Sequence, residues 1–265
     1  MPKFGPAGNA ASFSEMGYKN SLDFCLSRGL GDVYKRQEYQ CGRGVNIGEE
    51  KARLLGEKAS AAGIGLSLHA PYYISMSSVE EEKRKNSVNY ILASARAVNA
   101  MGGNRIVVHT GSCGKISREE ALALAKDTMR MALDALDSEG LSEIHICPET
   151  MGKVNQLGTL DEVLELCLLD ERLIPCIDFG HLNARDLGCL KEFSDYENIF
   201  IKIRDRLGTT IADKAKLVFS INTSAALLGM GYIVGLKYAA IICAGSVAVW
   251  WIIVPAISLI FPDMT

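Results

Sequence analysis

Between residues 38 and 207, short apolar stretches alternate with longer segments of helical spacing. No other feature constrains the fold as strongly, because the repeat distance of apolar side chains separates strand from helix. The strand-like stretches are Glu38–Cys41, Gly65–Ala70, Arg105–His109, Ile144–Pro148 and Leu173–Asp178. The helix-like segments are Ile47–Ala62, Val79–Met101, Arg118–Ser138, Leu160–Leu169 and Asp195–Leu207. Four helix starts carry a Ser/Thr-x-x-Glu pattern: Ser78 with Glu81, Ser117 with Glu120, Thr159 with Glu162 and Ser194 with Glu197. In that pattern the hydroxyl and the carboxylate each satisfy a backbone donor that the first turn leaves free. Short strands separated by amphipathic helices predict an α/β fold, a parallel sheet with the helices outside it.

Parallel α/β folds build their sites at the carboxyl ends of the strands. His69, His109, Glu149 and Asp178 each stand at the last position of a predicted strand or one past it, and His181 follows in the next loop. The chain has four histidines, and the fourth, His145, falls inside a strand, where it reads as structural. Three imidazoles and two carboxylates converging on one mouth suit a divalent metal such as zinc. A carboxylate can bridge two ions about 3.5–4 Å apart, an arrangement fitted to displacement at phosphorus.

The segments Phe4-Gly-Pro-Ala-Gly-Asn, Glu38-Tyr-Gln-Cys-Gly-Arg-Gly, Leu68-His-Ala-Pro-Tyr-Tyr, Val108-His-Thr-Gly, Pro148-Glu-Thr-Met-Gly-Lys and Ile177-Asp-Phe-Gly-His-Leu-Asn-Ala-Arg resemble the endonuclease IV family of apurinic/apyrimidinic endonucleases. The resemblance covers residues 1–207. It implies a TIM barrel, a zinc cofactor of up to three ions, and DNA containing abasic sites as the partner, cleaved on the 5′ side of the lesion. It also implies that His69 and His109 hold one zinc and that Glu149, the central catalytic carboxylate, bridges it to a second. Asp178 would hold the second ion and His181 a third. Tyr72 and Arg43 match loops that probe DNA in that family. A metal-dependent sugar isomerase or epimerase on the related barrel is the alternative enzyme. The Asp178-x-x-His181 pair and the Pro148–Lys153 run favour the nuclease.

The chain also departs from that family. A (β/α)₈ barrel takes about 250 residues, and the family-like part supplies about six of eight units. No histidine follows His181, whereas the resemblance implies further His, Asp and Glu ligands there. At most one zinc site is therefore expected to be complete, and the chain as written is expected to be inactive as a nuclease. From Leu217 to Thr265 the only charged residues are Lys237 and Asp263. Leu217–Leu236 and Tyr238–Phe261 are each long enough to span hydrocarbon, which predicts one or two hydrophobic transmembrane-like helices that partition into a membrane. The run Ala226–Ser246 resembles the oligopeptide transporter family. Ser27–Gln37 shows neither helical nor strand period and resembles a translated sequencing adapter. These features predict a chimera: a partial barrel over 1–207, a junction over 208–216 and a transporter-like segment over 217–265.

Composition narrows the remaining classes. The 265 residues are 48% hydrophobic and carry a formal net charge of −3, which excludes a disordered chain and a wholly basic nucleic-acid binder. The eight cysteines include no C-x-x-C pair, so thiolate zinc and thioredoxin-type chemistry have no support. The start, Met1-Pro-Lys-Phe-Gly-Pro, lacks the apolar core of a signal peptide. Reduced thiols and a cytoplasmic location are expected for the nuclease-like part.

Overall fold

The chain divides into two units, residues 1–220 and 221–265. The computed structural model describes residues 36–218. The adapter-like residues up to 35 and the apolar runs beyond Val218 lie outside the described residues. Among the described residues, no helix is long and apolar enough to cross a membrane.

Thirteen elements follow one another in the described part. They are β1 (Arg36–Gln40), α1 (Glu49–Ala61), β2 (Gly65–His69), α2 (Glu81–Ala100), β3 (Arg105–Val108), α3 (Arg118–Ser138), β4 (His145–Pro148), α4 (Leu160–Cys167), β5 (Cys176–Asp178), α5 (Phe179–Arg185), α6 (Phe193–Leu207), α7 (Thr209–Lys214) and β6 (Lys216–Val218). Strands β1 to β4 form one parallel sheet in sequence order, and β5 pairs with β6, also in parallel. Parallel bridges Ile146↔Leu173 and Glu149↔Cys176 join the two ladders. All six strands therefore run in one direction, as a TIM-barrel-like α/β fold requires.

Strands β3, β4 and β5 are buried on both faces, and the sequence alternates accordingly. Leu66, Leu68, Ile106, Val108 and Ile146 pack outward into a core with Ala95, Val98, Met129 and Leu136 of α2 and α3. Val107, Cys147, Ile174 and Cys176 form a separate cluster on the opposite face. Helix α3 shows why the outer layer docks. Its buried residues Ala121, Ala125, Thr128, Met129, Ala132, Leu133 and Leu136 recur at three- and four-residue intervals, which gives one apolar stripe. Around the edge, α6 is tied to α4 by Lys202–Asp161, Arg206–Asp161 and Arg206–Glu165.

Several boundaries differ from expectation. Strand β1 begins at Arg36, so the last two residues of the adapter-like run pair with Gly65 and Leu66 of β2. Residues 217 and 218, expected to open an apolar helix, lie in β6. Of the four predicted capping boxes, those at Ser117 and Thr159 form. The other two are displaced. Helix α2 starts after Glu80, and the Ser78 hydroxyl instead accepts from the Glu80 amide at 3.2 Å. Helix α6 starts at Phe193, where the Asp195 carboxylate accepts the Lys191 and Glu192 amides at 2.9 Å. Among the described residues the cysteines are free thiols; Cys41, Cys113, Cys147, Cys167 and Cys176 are buried and Cys189 is exposed.

Candidate metal centre

The carboxyl ends of four strands meet at Glu149. This side chain follows β4 and is 4% exposed. One of its oxygens, Oε2, lies 3.2 Å from Nε2 of His69, at the end of β2, and 3.2 Å from Nε2 of His109, just past β3. The other, Oε1, lies 4.0 Å from Nδ1 of His181. That nitrogen is also 3.8 Å from Oδ2 of Asp178, at the end of β5. Two groups of potential ligands result, His69–His109–Glu149 and Glu149–Asp178–His181, and they share Glu149. The sequence predicts at most one complete zinc site and His181 on a separate third ion, whereas the fold sets His181 beside Asp178.

Three of the five ligands, His69, His181 and Asp178, are oriented by a second bond. The Nδ1–H of His69 donates to the Ala70 carbonyl at 2.9 Å, which leaves the Nε2 lone pair facing the carboxylate. The Nδ1–H of His181 donates to the Thr150 carbonyl at 2.8 Å, which leaves the lone pair on its other nitrogen. His181, expected in a loop, sits instead in the first turn of α5, whose N-cap is Asp178. Asp178 Oδ1 accepts the His181 amide at 2.8 Å, so Oδ2 is the oxygen left for a cation. Thr150 holds this half of the site from beneath. Its hydroxyl accepts the Asp178 amide at 2.8 Å and donates to the Asp178 carbonyl at 3.3 Å.

The electrostatics fit a cation. A lone pair on His69 Nε2 facing a buried carboxylate is stable only if a proton or a metal ion stands between them. Burial opposes the His69 imidazolium, but the hydrogen bond and charge of Glu149, with the Ala70 carbonyl, raise its pKa. Burial likewise works against the Glu149 anion, yet the His109 and His69 imidazoles hold its pKa down to about 2. The carboxylate thus stays charged and ready to ligate, and nitrogen with carboxylate oxygen is a donor set that zinc accepts.

The remaining sequence candidates lie at the rim. Tyr72 is 56% exposed, and its ring stands 5.6 Å from His69 and 5.3 Å from His109 between centroids. Its amide donates to the Gly42 carbonyl at 3.1 Å, which ties its loop to the turn that carries Arg43. Arg43 is exposed in that turn. His145 bonds the Arg172 carbonyl through Nδ1 at 3.3 Å, a structural contact away from the two ligand groups. Sequence reasoning missed Thr150, Arg118 and Arg185. Arg118 pairs with Glu162 at 2.7 Å and donates to the carbonyls of Val154 and Gln156. Arg185 donates to the carbonyls of Met151, Lys153, Val154 and Gln156. Arg185 does lie within a family-like run, but its partners are backbone atoms and leave no residue-type signal.

The family described as xylose isomerase-like TIM barrel matches residues 33–235, so the match continues past residue 207. An uncharacterized protein of Methanocaldococcus jannaschii is 35% identical over 205 residues, covering 77% of this chain and 71% of its own length. A probable endonuclease 4 of Malacoplasma penetrans is 28% identical over 170 residues, covering 60% of this chain. One from Mycoplasma genitalium is 30% identical over 149 residues, covering 54%. The chain spans 57% and 48% of the length of these two endonuclease 4 relatives. Among solved structures, a D-tagatose 3-epimerase-like protein superposes with TM-score 0.57 at 19% identity, covering 86% of this chain and 95% of its own. Endonuclease IV from Thermus thermophilus superposes with TM-score 0.54 at 16% identity, covering 78% and 72%. At such identities both show the fold alone. The parallel strands, the strand-end cluster and the family match together establish that this chain belongs to the xylose isomerase-like TIM barrel family.

Proposed function

We propose that residues 36–218 carry the metal site of a zinc-dependent DNA-repair phosphodiesterase of the endonuclease IV type, directed at abasic sites. The observation that carries this reading is the sharing of Glu149 between two ligand groups. One carboxylate placed to bridge two cations is the arrangement suited to displacement at phosphorus. The identity with two endonuclease 4 relatives supports the same chemistry.

In this reading His69, His109 and Glu149 hold one ion, and Glu149, Asp178 and His181 hold a second. Bound there, zinc supplies Lewis acidity to the phosphodiester oxygens. The chain's own residues do the positioning. The Ala70 and Thr150 carbonyls fix two imidazoles, Thr150 anchors Asp178, and the exposed Tyr72 ring stands beside the first pair, where an unpaired nucleotide can stack. Hydrolysis itself is expected to be lost, because the described residues offer two ligand groups where the family resemblance implies up to three ions.

The test combines zinc stoichiometry with retention of a duplex containing a tetrahydrofuran abasic analogue. Two zinc ions per chain and a zinc-dependent preference for the abasic over the undamaged duplex are expected, with no nick. Equal retention of both duplexes sinks the abasic-DNA reading. A chelator-sensitive nick 5′ to the lesion shows instead that the two ligand groups suffice for chemistry. Interconversion of ketose sugars without any DNA preference reverses the choice in favour of the epimerase alternative.

A further inference from the structure

The segment that leaves β4 after Glu149 is pinned through its carbonyls. Arg185 donates from Nη1 to Met151 O at 2.9 Å and Lys153 O at 3.0 Å, and from Nη2 to Val154 O at 3.0 Å and Gln156 O at 3.2 Å. Arg118 reaches Val154 O at 2.9 Å and Gln156 O at 3.1 Å. Asn155 O accepts from the Cys113 amide at 2.9 Å and the Ser112 hydroxyl at 3.1 Å. Leu157 O accepts from the Thr110 hydroxyl at 2.6 Å. Every carbonyl from 151 to 157 except that of Gly152 is thus engaged.

The amides behave differently. Those of Met151, Gln156 and Leu157 bond Gly158 O, Lys153 O and Gly111 O. The amides of Gly152, Lys153, Val154 and Asn155 donate to no described residue. Four consecutive free donors therefore sit on a segment whose acceptors are already taken, and the exposed Lys153 is among them. The segment also borders the metal centre, since a Cβ on Gly152 would lie 3.2 Å from Cδ2 of His181. Backbone amides held in place and supplemented by an ammonium group form an anion site.

We propose that residues 152–155 bind a phosphate group of the substrate, and that Arg118 and Arg185 are positioning residues that turn the carbonyls of this segment away from it. The anion site stands on the bonds just described, whereas the phosphate's source, a nucleic-acid backbone, rests on the proposed function. A free sugar phosphate offers the same chemistry and forms the second arm of the test.

The experiment is an amide-resolved NMR titration of the full chain with inorganic phosphate, run with and without excess chelator. Saturable shifts at the amides of 152–155 are expected in both conditions. Arg185→Lys keeps the charge but loses the planar fork, and it is expected to weaken phosphate binding about tenfold with zinc content unchanged. Lys153→Ala, at an exposed position, is expected to weaken it about threefold to tenfold with the thermal midpoint unchanged. Absent shifts, shifts only without chelator, or shifts identical in Arg185→Lys overturn the inference. An abasic duplex and ribose 5-phosphate then serve as alternative titrants. If ribose 5-phosphate shifts these amides and the duplex does not, the anion site stands while the nucleic-acid source and the proposed function fall. If zinc-dependent abasic preference persists without these shifts, only the anion site falls.

Discussion

Replacing Thr150 with valine tests how the second ligand group is held. Valine keeps the shape of threonine and removes only the hydroxyl, and Thr150 is fully buried. Two hydrogen bonds to the Asp178 backbone vanish, and the Asp178 amide, which donates to the hydroxyl at 2.8 Å, is left without that partner. A buried donor stranded in this way costs about 1–3 kcal/mol. For a protein of this size, where each kcal/mol moves the thermal midpoint by about 2–4 °C, that corresponds to a fall of roughly 2–12 °C. Because Asp178 is one of the two carboxylates of the site, a loss of about 10–100-fold in affinity for the second zinc is expected as well. The carbonyl that orients His181 is untouched, so zinc bound through His69 and His109 should be retained. Thermal unfolding and competition with a graded chelator read the two effects separately, and Thr150→Ser, which restores the hydroxyl, should recover both. If Thr150→Val and Thr150→Ser match the parent in stability and zinc retention, the hydroxyl does not hold Asp178, and the account of this half of the site is wrong.

Other perturbations follow the same logic. His69→Ala removes a ligand of the first group and should reduce zinc stoichiometry by one and abolish abasic preference, read by metal analysis and duplex retention. Gly152→Ala places a Cβ 3.2–3.3 Å from the His181 ring and backbone; zinc retention in the second group should fall while the unfolding midpoint changes little. The Glu162 carboxylate pairs with Arg118 and accepts the Gly158 and Thr159 amides. Burial would raise its pKa, but the Arg118 guanidinium and the two amides bring it below the ordinary value of 4.5. A depressed folded pKa contributes stability that is present above the unfolded value and lost as pH falls through the folded one. Urea unfolding should therefore show the parent losing more stability than Glu162→Gln as pH drops from about 6 through the carboxylate range. An equal loss in both proteins would remove Glu162 from that account.

The alternation of strand and helix was legible because the central strands β3 to β5 face a core on both sides, so their residues had to be short apolar runs. The site was legible for a related reason. Imidazoles and carboxylates at the ends of such runs have few structural uses, and His69, His109, Glu149 and Asp178 stood out. Helix α3 also had readable ends, since Ser117 and Glu120 cap each other locally. Ser78 and Ser194 matched the same pattern without forming it, because the Ser78 hydroxyl takes the Glu80 amide and Ser194 falls inside a helix that already begins at Phe193. Thr150 is separated from Asp178 by 28 positions, and Arg118 lies 36 and 38 positions from the carbonyls it holds. Their partners are backbone atoms, and a sequence carries no residue-type signal for a contact of that kind.

The carboxylate between the two ligand groups has a thermodynamic consequence. A side chain common to both makes them a single coupled system rather than two independent receptors. The first cation to arrive neutralises the anion that the second would use, and the second then enters against the charge of the first. By linkage, whatever the first ion subtracts from the affinity of the second is subtracted equally in the reverse order of filling. Loading should proceed in two separated steps, and withdrawal of either ion should tighten the grip on the one that remains. At limiting metal the chain would then hold one ion firmly instead of two loosely.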